Sequence, residues 1–548
     1  MPTVVIDGRS YEFAEGSNLL EACLSAGLDL PYFCWHPAMG SVGACRQCAV
    51  IQFQNDEDDR GRIVMGCMTR VSEGARFSLS GERARGFRRA VIESLMINHP
   101  HDCPVCAEGG ECHLQDMTVM TGHRDRRYRG PKRTFRNQYL GPLVHHEMNR
   151  CITCYRCTRF YRDYAGGTDL AAMASRDRVY FGRHAEGVLE SEFSGNLVEV
   201  CPTGVFTDRT LVNDYTRKWD LQAAPSICQG CAVGCNTSPG ERYGRLKRVH
   251  NRYHGEINGY FLCDRGRYGH GWVNDKQRLR FSARARGDGS FDAIEADAAL
   301  AAVAELLGDG GVAAVGSPRA SLESNFLLRE LAGAEHCAPG VAAPDYALLR
   351  RALALASQSR ARVPSLRDIE HADAVLVLGE DVTASAPRMA LALRQSARNR
   401  AKELGSEAGL SPWQDAAVRN LAQFRRNPLY VVAATSTRLD DIATARHSLA
   451  PADAAVFARH LAAVLRGDQT AEPESLLAAM ASSLRAARRP LVVTGVTAAE
   501  PALLEAAAEV ADALAGDEAS AQLSFIVPEV NSLGTAMLFG AEPPDLDT

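Results

Sequence analysis

The first residues alternate between apolar and polar around a tight turn. Val4-Val5-Ile6 and Tyr11-Glu12-Phe13 flank Asp7-Gly8, a pair that tolerates positive φ, so the chain is predicted to open with a β-hairpin. The period then changes from two to that of a helix. Leu19, Leu20, Cys23 and Leu24 fall on one face, Ser17 is placed to cap the N-terminus, and Gly27 suits the position just past the end. A cysteine-bearing loop follows. A second helical stretch, with Phe87, Val91 and Leu95 on its apolar faces, runs toward His99 and is predicted to stop at Pro100.

The pattern differs from about residue 290 onward. Apolar runs such as Val312-Ala313-Ala314-Val315, Ala374-Val375-Leu376-Val377-Leu378 and Pro490-Leu491-Val492-Val493 read as short buried strands. Long periodic stretches rich in Ala and Leu, for example Arg319 to Ala332 and Pro501 to Ala515, read as helices between them. Strand-then-helix repetition predicts a parallel α/β domain. No phosphate loop and no G-x-G-x-x-G fingerprint accompanies it.

A length of 548 residues with 46% hydrophobic content exceeds what one core usually supports, so several domains are expected. The formal net charge of -5 gives no electrostatic case for binding nucleic acid or an anionic membrane surface. No run of eighteen apolar residues occurs, and the opening MPTVVIDGRSYEF lacks the features of a signal peptide or presequence. The chain is therefore expected to stay in the compartment that made it and to meet a membrane only through partners. Paired C-x2-C cysteines in such a chain fit metal thiolates better than disulfides.

Sixteen of the seventeen cysteines lie before residue 278. Fifteen of them, with one histidine, form four groups of four: Cys34, Cys45, Cys48, Cys67; His99, Cys103, Cys106, Cys112; Cys151, Cys154, Cys157, Cys201; and Cys228, Cys231, Cys235, Cys263. Cys23 and Cys337 are left over, each read as a small buried hydrophobe in an apolar helical stretch.

Each spacing constrains the chemistry. In the first group, Gly40 and Gly43 let the loop bend round a 2Fe-2S centre and offer N–H groups to its sulfurs, although the spacing is C-x10-C-x2-C and an acidic insertion, Asp56 to Asp59, precedes Cys67. A four-cysteine zinc site is the alternative. The second group reads H-x3-C-x2-C-x5-C. A neutral imidazole in place of a thiolate makes a cluster less negative, and such replacement raises the potential in Rieske centres; His101 competes with His99 for the role. The third begins C-x2-C-x2-C, but Tyr161 stands where a bacterial ferredoxin run would place its fourth cysteine, so Cys201 of Cys201-Pro202-Thr203-Gly204 is taken as the ligand and one ancestral cluster as lost. The fourth is C-x2-C-x3-C with Cys263 after twenty-seven residues, a 4Fe-4S pattern with zinc as its alternative. A fully coordinated cluster has no open site for substrate and passes single electrons, so four in one chain imply a wire. No nucleophile elbow, H-E-x-x-H or nucleotide loop is present to supply other chemistry.

In order and spacing these ligands resemble the family of the large iron-sulfur subunit, the G subunit, of bacterial NADH:quinone oxidoreductase, respiratory complex I. The diagnostic stretches are HPHDCPVCAEGGECHLQDM (99–117), NRCITCYRCTRF (149–160), NLVEVCPTGVFTD (196–208) and CQGCAVGC (228–235). The resemblance implies a multidomain α+β and α/β chain: a β-grasp 2Fe-2S ferredoxin-type domain (1–80), a helical segment with a histidine-ligated 4Fe-4S cluster (81–122), a ferredoxin-like 4Fe-4S domain (140–215), a 4Fe-4S domain of the molybdopterin-oxidoreductase type (221–277) and a truncated molybdopterin-oxidoreductase-like α/β domain (278–548). In that last domain GSPRASLESN (316–325) and GEDVTASAPR (379–388) carry the likeness, no molybdopterin is expected, and a scaffolding role is assigned. The implied cofactors are one 2Fe-2S and three 4Fe-4S clusters, the fourth group being an off-path site. The implied partners are a flavin- and NADH-binding subunit and other subunits of the peripheral arm, on the cytoplasmic face of the bacterial inner membrane. Relatives run on beyond an acidic tail such as the one ending at Thr548. An NAD-linked formate dehydrogenase would need a complete bis-molybdopterin domain with a metal-binding Cys or selenocysteine, for which the remaining length is too short, and both ferredoxin motifs, which Tyr161 contradicts; an iron-only hydrogenase would need further cysteine motifs after the ferredoxin part, which Cys337 alone cannot supply. A zinc-stapled scaffold without redox function is the remaining alternative.

Overall fold

The computed structural model describes residues 1–214, 216–308, 310–516, 519–541 and 544. The acidic tail ending at Thr548 lies almost wholly outside them.

The hairpin forms as the turn pair requires. Strands β1 (Thr3–Ile6) and β2 (Arg9–Glu12) pair antiparallel with Val4 opposite Tyr11, and Asp7 and Gly8 take φ of 48° and 79°. Strands β3 (Ala49–Phe53), β4 (Arg62–Met65) and β5 (Arg76–Ser78) complete a mixed sheet in the order β2-β1-β5-β3-β4, with β5 parallel to β1. Helix α1 (Leu19–Ser25) packs Leu19, Leu20 and Cys23 against Val4, Ile6, Val50 and Phe77. Its cap is Asn18, one residue later than predicted: the Asn18 side-chain oxygen accepts from the Glu21 N–H at 2.9 Å, while the Ser17 hydroxyl donates to the Ala14 carbonyl. Gly27 stands past the end at φ 71°, as its freedom from a Cβ allows.

Helix α2 (Glu82–Met96) is displaced from its predicted apolar stripe by one position, because Ala84, Arg88, Ile92 and Met96 are the buried residues. Arg88 explains the shift. Its guanidinium donates to the carbonyls of Ala49 at 3.0 Å and Leu79 at 2.7 Å, tying the helix to the end of the sheet through a side chain that a hydrophobicity pattern scores as surface. The helix ends at Met96 rather than at Pro100, and the His99 N–H continues the turn by donating to Leu95. Helix α3 (His113–Thr121) starts directly after Cys112.

Two small antiparallel pairs follow, β6 (Val144–His146) with β9 (Phe206–Asp208) and β7 (Leu170–Met173) with β8 (Tyr180–Arg183). They enclose a core that contains Met148, Cys157, Phe160, Tyr161, Leu170, Phe181, Phe193, Cys201 and Phe206. The strands Asn236–Arg242 and Arg245–Asn251 then form the main hairpin of a four-stranded sheet.

The second half contains the predicted parallel sheet, ordered in space as Ala445–His447, Leu429–Val432, Ala374–Leu378, Pro490–Gly495 and Gln522–Ile526. Ala374–Leu378 lies at its centre with all five residues buried, which is why it reads as an unbroken apolar run. Helices Leu322–Ala332 and Pro501–Leu514 match the periodic stretches. The run Val312 to Val315 does not join this sheet. Gly310 and Gly311, at φ 77° and 70°, precede it, and only Ala314–Val315 is strand, paired with Cys337–Ala338. Cys337 is thus buried in a strand, not in a helix, although its role as a buried small residue stands.

The two halves meet at the first cysteine loop. Trp413 donates its indole N–H to the Gly16 carbonyl at 2.7 Å, and its own carbonyl accepts from the Ser41 N–H at 2.8 Å. Gly40, at φ 66°, lies so close that a Cβ would come within 2.6 Å of the Trp413 carbonyl oxygen. Only glycine meets both conditions there.

Candidate metal-cluster sites

All seventeen cysteines are free of disulfides. In the first loop the thiols of Cys45 and then Cys67 donate to Cys34 and hold it far below its ordinary range, while Cys67, donating to Cys34 and Cys48, is pushed far above. Contacts therefore link all four, Cys45 to Cys34, Cys34 to Cys67 and Cys67 to Cys48. The Cys67 N–H also points to the Cys48 sulfur at 3.4 Å. Arg46, between the two closely spaced cysteines, adopts φ 57°, a left-handed turn that a non-glycine residue seldom takes.

The second group lines one cavity of about 310 Å³, in which His99, Cys103, Cys106 and Cys112 appear together. His99 and His101 both reach it, and the structure distinguishes them. His101 is exposed and its Nδ1 lies 3.0 Å from the Lys132 ammonium. The Nδ1 of His99 is buried without a partner, and burial pushes the imidazole down to about 4, so it is neutral and free to bind a metal. An unsatisfied buried imidazole nitrogen on a residue that shares a cavity with three cysteines fits the donor set of a histidine-ligated cluster.

The third group lies round a small space lined by Cys151, Cys154, Cys157 and Cys201, with Phe181 and Phe206 as apolar walls. Thr153 and Tyr155, alternating with the cysteines, take φ 56° and 62° and curl the C-x2-C-x2-C run so that its thiols share one side. The Thr153 N–H donates to the Cys151 sulfur at 3.3 Å. Cys201 thus lies beside the three thiols of the run. Tyr161, at the lost cysteine position, instead builds a polar plug: its hydroxyl donates to Asp169 at 2.7 Å and accepts from the Ser191 N–H at 3.1 Å, and Arg183 pairs with the same carboxylate.

In the fourth group, Cys228, Cys231, Cys235 and Cys263 are near enough that each of Cys228, Cys235 and Cys263 has a neighbouring cysteine raising its pKa, after burial as the main cause. The N–H groups of Gly230 and Gly266 donate to the sulfurs of Cys228 and Cys263 at 3.3 and 3.4 Å. Across the sites, burial pushes Cys112, Cys154 and Cys263 up to about 12. Left to themselves these groups stay protonated at neutral pH, whereas a bound cation deprotonates them outright. Among the described residues no three Cys, His, Asp or Glu side chains converge at single-ion spacing. The second and third sets each line a cavity.

Spacing could not have revealed the basic side chains that lace these loops. Arg159 donates to the carbonyls of Cys34 at 2.9 Å and Gly40 at 3.0 Å. Arg150 bridges Asp102 at 2.8 Å to the Gly204 carbonyl at 3.3 Å. Arg217 holds the Cys106 carbonyl at 2.6 Å, and the buried Lys218 pairs with Glu108 at 2.6 Å. Arg265 reaches the Gly230 carbonyl at 3.2 Å. Each comes from a segment distant in sequence from the loop it holds, although Arg150 directly precedes Cys151 and Arg159 and Arg265 stand two residues after Cys157 and Cys263; those positions beside cysteines were the visible signal.

Three sites meet on one apolar cluster that contains Phe33, Cys34, Ile92, Met96, Cys112, Leu114, Ile152 and Cys154. The segment Cys201 to Gly204 joins two of them directly. Cys201 belongs to the third pocket, the Pro202 carbonyl lies 3.9 Å from the Cys112 sulfur, and a Cβ on Gly204 would come within 2.4 Å of the Cys106 sulfur. The fourth site is reached from the third through Phe160 and Phe261, whose rings lie 4.6 Å apart.

Serial iron-sulfur-binding domains are the class that this fold and these pockets define, and sequence profiles match accordingly. Residues 2–79 match a 2Fe-2S iron-sulfur cluster binding domain, 88–127 the NADH-ubiquinone oxidoreductase-G iron-sulfur binding region, 141–207 the NADH-quinone oxidoreductase subunit 3 ferredoxin-like domain, and 221–275 the molybdopterin oxidoreductase Fe4S4 domain. Proteins named as the G subunit of NADH-quinone oxidoreductase are similar over nearly the whole chain: that of Pseudomonas putida is 55% identical over 98% of this chain and 60% of its own length. Those of Shewanella oneidensis and Escherichia coli are each 53% identical, over 99% and 98% of this chain and 60% of their own lengths. The chain belongs to the family of NADH-quinone oxidoreductase G subunits. It spans about 60% of the length of the curated relatives it matches.

Replacing Tyr161 by Phe removes one donor to Asp169 and leaves the Ser191 N–H unpaired in a buried site. Urea unfolding of the variant is expected to show a loss of about 1–3 kcal/mol, with the visible spectrum of the cluster-loaded protein unchanged. Unaltered stability would contradict the polar-plug reading.

Proposed function

We propose that this chain is an electron-relaying part of a proton-pumping NADH:quinone oxidoreductase, with Cys34, Cys45, Cys48 and Cys67 holding a 2Fe-2S cluster. His99, Cys103, Cys106 and Cys112; Cys151, Cys154, Cys157 and Cys201; and Cys228, Cys231, Cys235 and Cys263 hold one 4Fe-4S cluster each. The observation that carries the reading is the shared apolar core, which places cysteines of three different groups in one packed cluster. A bound iron-sulfur cluster supplies acceptance and release of one electron at a time, with no open coordination position for substrate.

The chain's own residues account for the rest. The ring of apolar side chains, Phe33, Ile92, Met96, Leu114 and Ile152, excludes water from the space that the three groups share. Backbone N–H groups of Cys67, Thr153, Gly230 and Gly266 point at sulfur and favour its anionic form. Arg159, Arg150, Arg217 and Arg265 fix the loops by their carbonyls and bring positive charge beside groups that become anionic when loaded. The parallel α/β unit serves as scaffold, gripping the first loop through Trp413 and the fourth through the Arg265 contact with Ala384. In this reading it binds no molybdopterin.

The partners follow from the chemistry. A relay without a substrate site needs a flavoprotein that oxidises NADH at one end and a quinone-reducing partner at the other, and the family assigns both to the peripheral arm. No described helix is long and apolar enough to cross a membrane, so the proposed place on the cytoplasmic face of the inner membrane is reached through partner subunits.

Two experiments test the proposal. His99→Cys is expected to keep a 4Fe-4S cluster whose midpoint potential, from redox titration followed by EPR, is lower than in the wild type, because a thiolate adds one negative charge. An unchanged potential and spectrum would remove His99 from the ligand set. Reconstituted protein mixed with NADH is expected to stay oxidised until an NADH-oxidising flavoprotein is added. Reduction without one would refute the division of labour.

A further inference from the structure

A second concavity, unrelated to the cysteines, lies where the ferredoxin-like region meets the α/β unit. It has a volume of about 470 Å³, and six arginines line it: Arg162 from the first region and Arg394, Arg398, Arg419, Arg425 and Arg426 from the second. Three carboxylates answer them. Asp441 pairs with Arg394 at 2.9 Å, Asp415 with Arg398 at 3.2 Å and Arg419 at 3.0 Å, and Asp163 with Arg419 at 3.1 Å. Among the described residues the Arg426 guanidinium meets only the Asp441 carbonyl, at 2.8 Å. The guanidinium groups of Arg162 and Arg425 make no hydrogen bond or ion pair among the described residues.

Scattered surface arginines would carry no such meaning, since each would be solvated alone. Here the positive groups converge from four separate segments, and one of them is built in. Arg394 is only 6% exposed, its Nε is buried without a partner, and Gly166 stands so close that a Cβ would come within 2.4 Å of the guanidinium. Six cations against three carboxylates leave an excess of three positive charges in a recess of small-molecule size. Guanidinium forks match phosphate oxygens in pairs, and a compact group with two or three negative charges balances the excess.

We propose that this cavity binds a small, multiply charged phosphate, such as inorganic pyrophosphate or the diphosphate of a nucleotide, and that the bound anion ties the ferredoxin-like region to the α/β unit. Arg162 contacts it from one side, and Arg425 and Arg426 from the other. Because the ligand touches both regions, it stabilises the folded state by mass action. The site is independent of the clusters and of the proposed electron relay.

The test uses the full, cluster-loaded chain at constant ionic strength. Calorimetric titrations with pyrophosphate, ADP and a polyglutamate peptide are compared, and unfolding temperatures are measured with each. Pyrophosphate and ADP are expected to bind and to raise the unfolding temperature; tighter binding of ADP assigns a nucleotide, and equal binding assigns the diphosphate alone. R425S/R426S and, separately, R162S are expected to bind about tenfold more weakly, as loss of charge-assisted hydrogen bonds implies, with unchanged cluster spectra. Neither diphosphate binding, binding by the peptide alone, or full affinity in both variants would each overturn the proposal.

Discussion

Burying sulfur that must carry negative charge is the constraint on which the rest of this structure depends. A thiol surrounded by protein resists ionisation, as the upward shifts of Cys112, Cys154 and Cys263 illustrate, and four such groups in one pocket resist it together. In the proposed function, iron offsets that cost from inside a pocket. The protein offsets it from outside, with N–H groups aimed at sulfur and with Arg159, Arg150, Arg217 and Arg265 holding the surrounding carbonyls. Left-handed backbone at Arg46, Thr153 and Tyr155 serves the same end, because an ordinary strand or helix could not turn consecutive thiols toward one point. Local strain, buried cations and loop cysteines are therefore parts of one arrangement.

The same arrangement explains how domains of different architecture come to lie against each other. Their cores are separate, yet Phe33, Ile92, Met96, Leu114 and Ile152 merge at the place where three cysteine groups approach. Cys201 to Gly204 serves two pockets within four residues. Trp413, 397 residues away in sequence from the Gly16 carbonyl it binds, then also braces the first loop through Ser41. A scaffold that keeps its sheet while presenting no cysteine group of its own fits that mechanical task.

Much of this was legible in the residues alone, for identifiable reasons. Cysteine spacing is a direct record of ligand geometry, so the members of the second and third groups could be named before any fold was known, and the structure gathers each of those two sets at one cavity. Period-two and apolar-run patterns located the opening hairpin and the central strand Ala374–Leu378. What escaped was whatever particular hydrogen bonds and long-range partners decide. Arg88 displaced the α2 stripe because its charge hid its burial; Asn18 outcompeted Ser17 as a cap through a local hydrogen bond; Cys337 fell into a strand paired across the chain. Spacing already favoured His99 over His101; the structure adds that His101 lies beside Lys132 while the His99 Nδ1 is buried without a partner. The contacts of the arginines around the loops were not legible in spacing.

The most direct test is an anomalous-scattering map collected at the iron absorption edge from crystals of the anaerobically purified protein. Iron peaks are predicted within all four cysteine pockets, with His99 and not His101 facing the peak in the second. Peaks that appear only at the zinc edge, or a pocket holding no iron, would contradict the claim that these buried sulfurs exist to carry electrons.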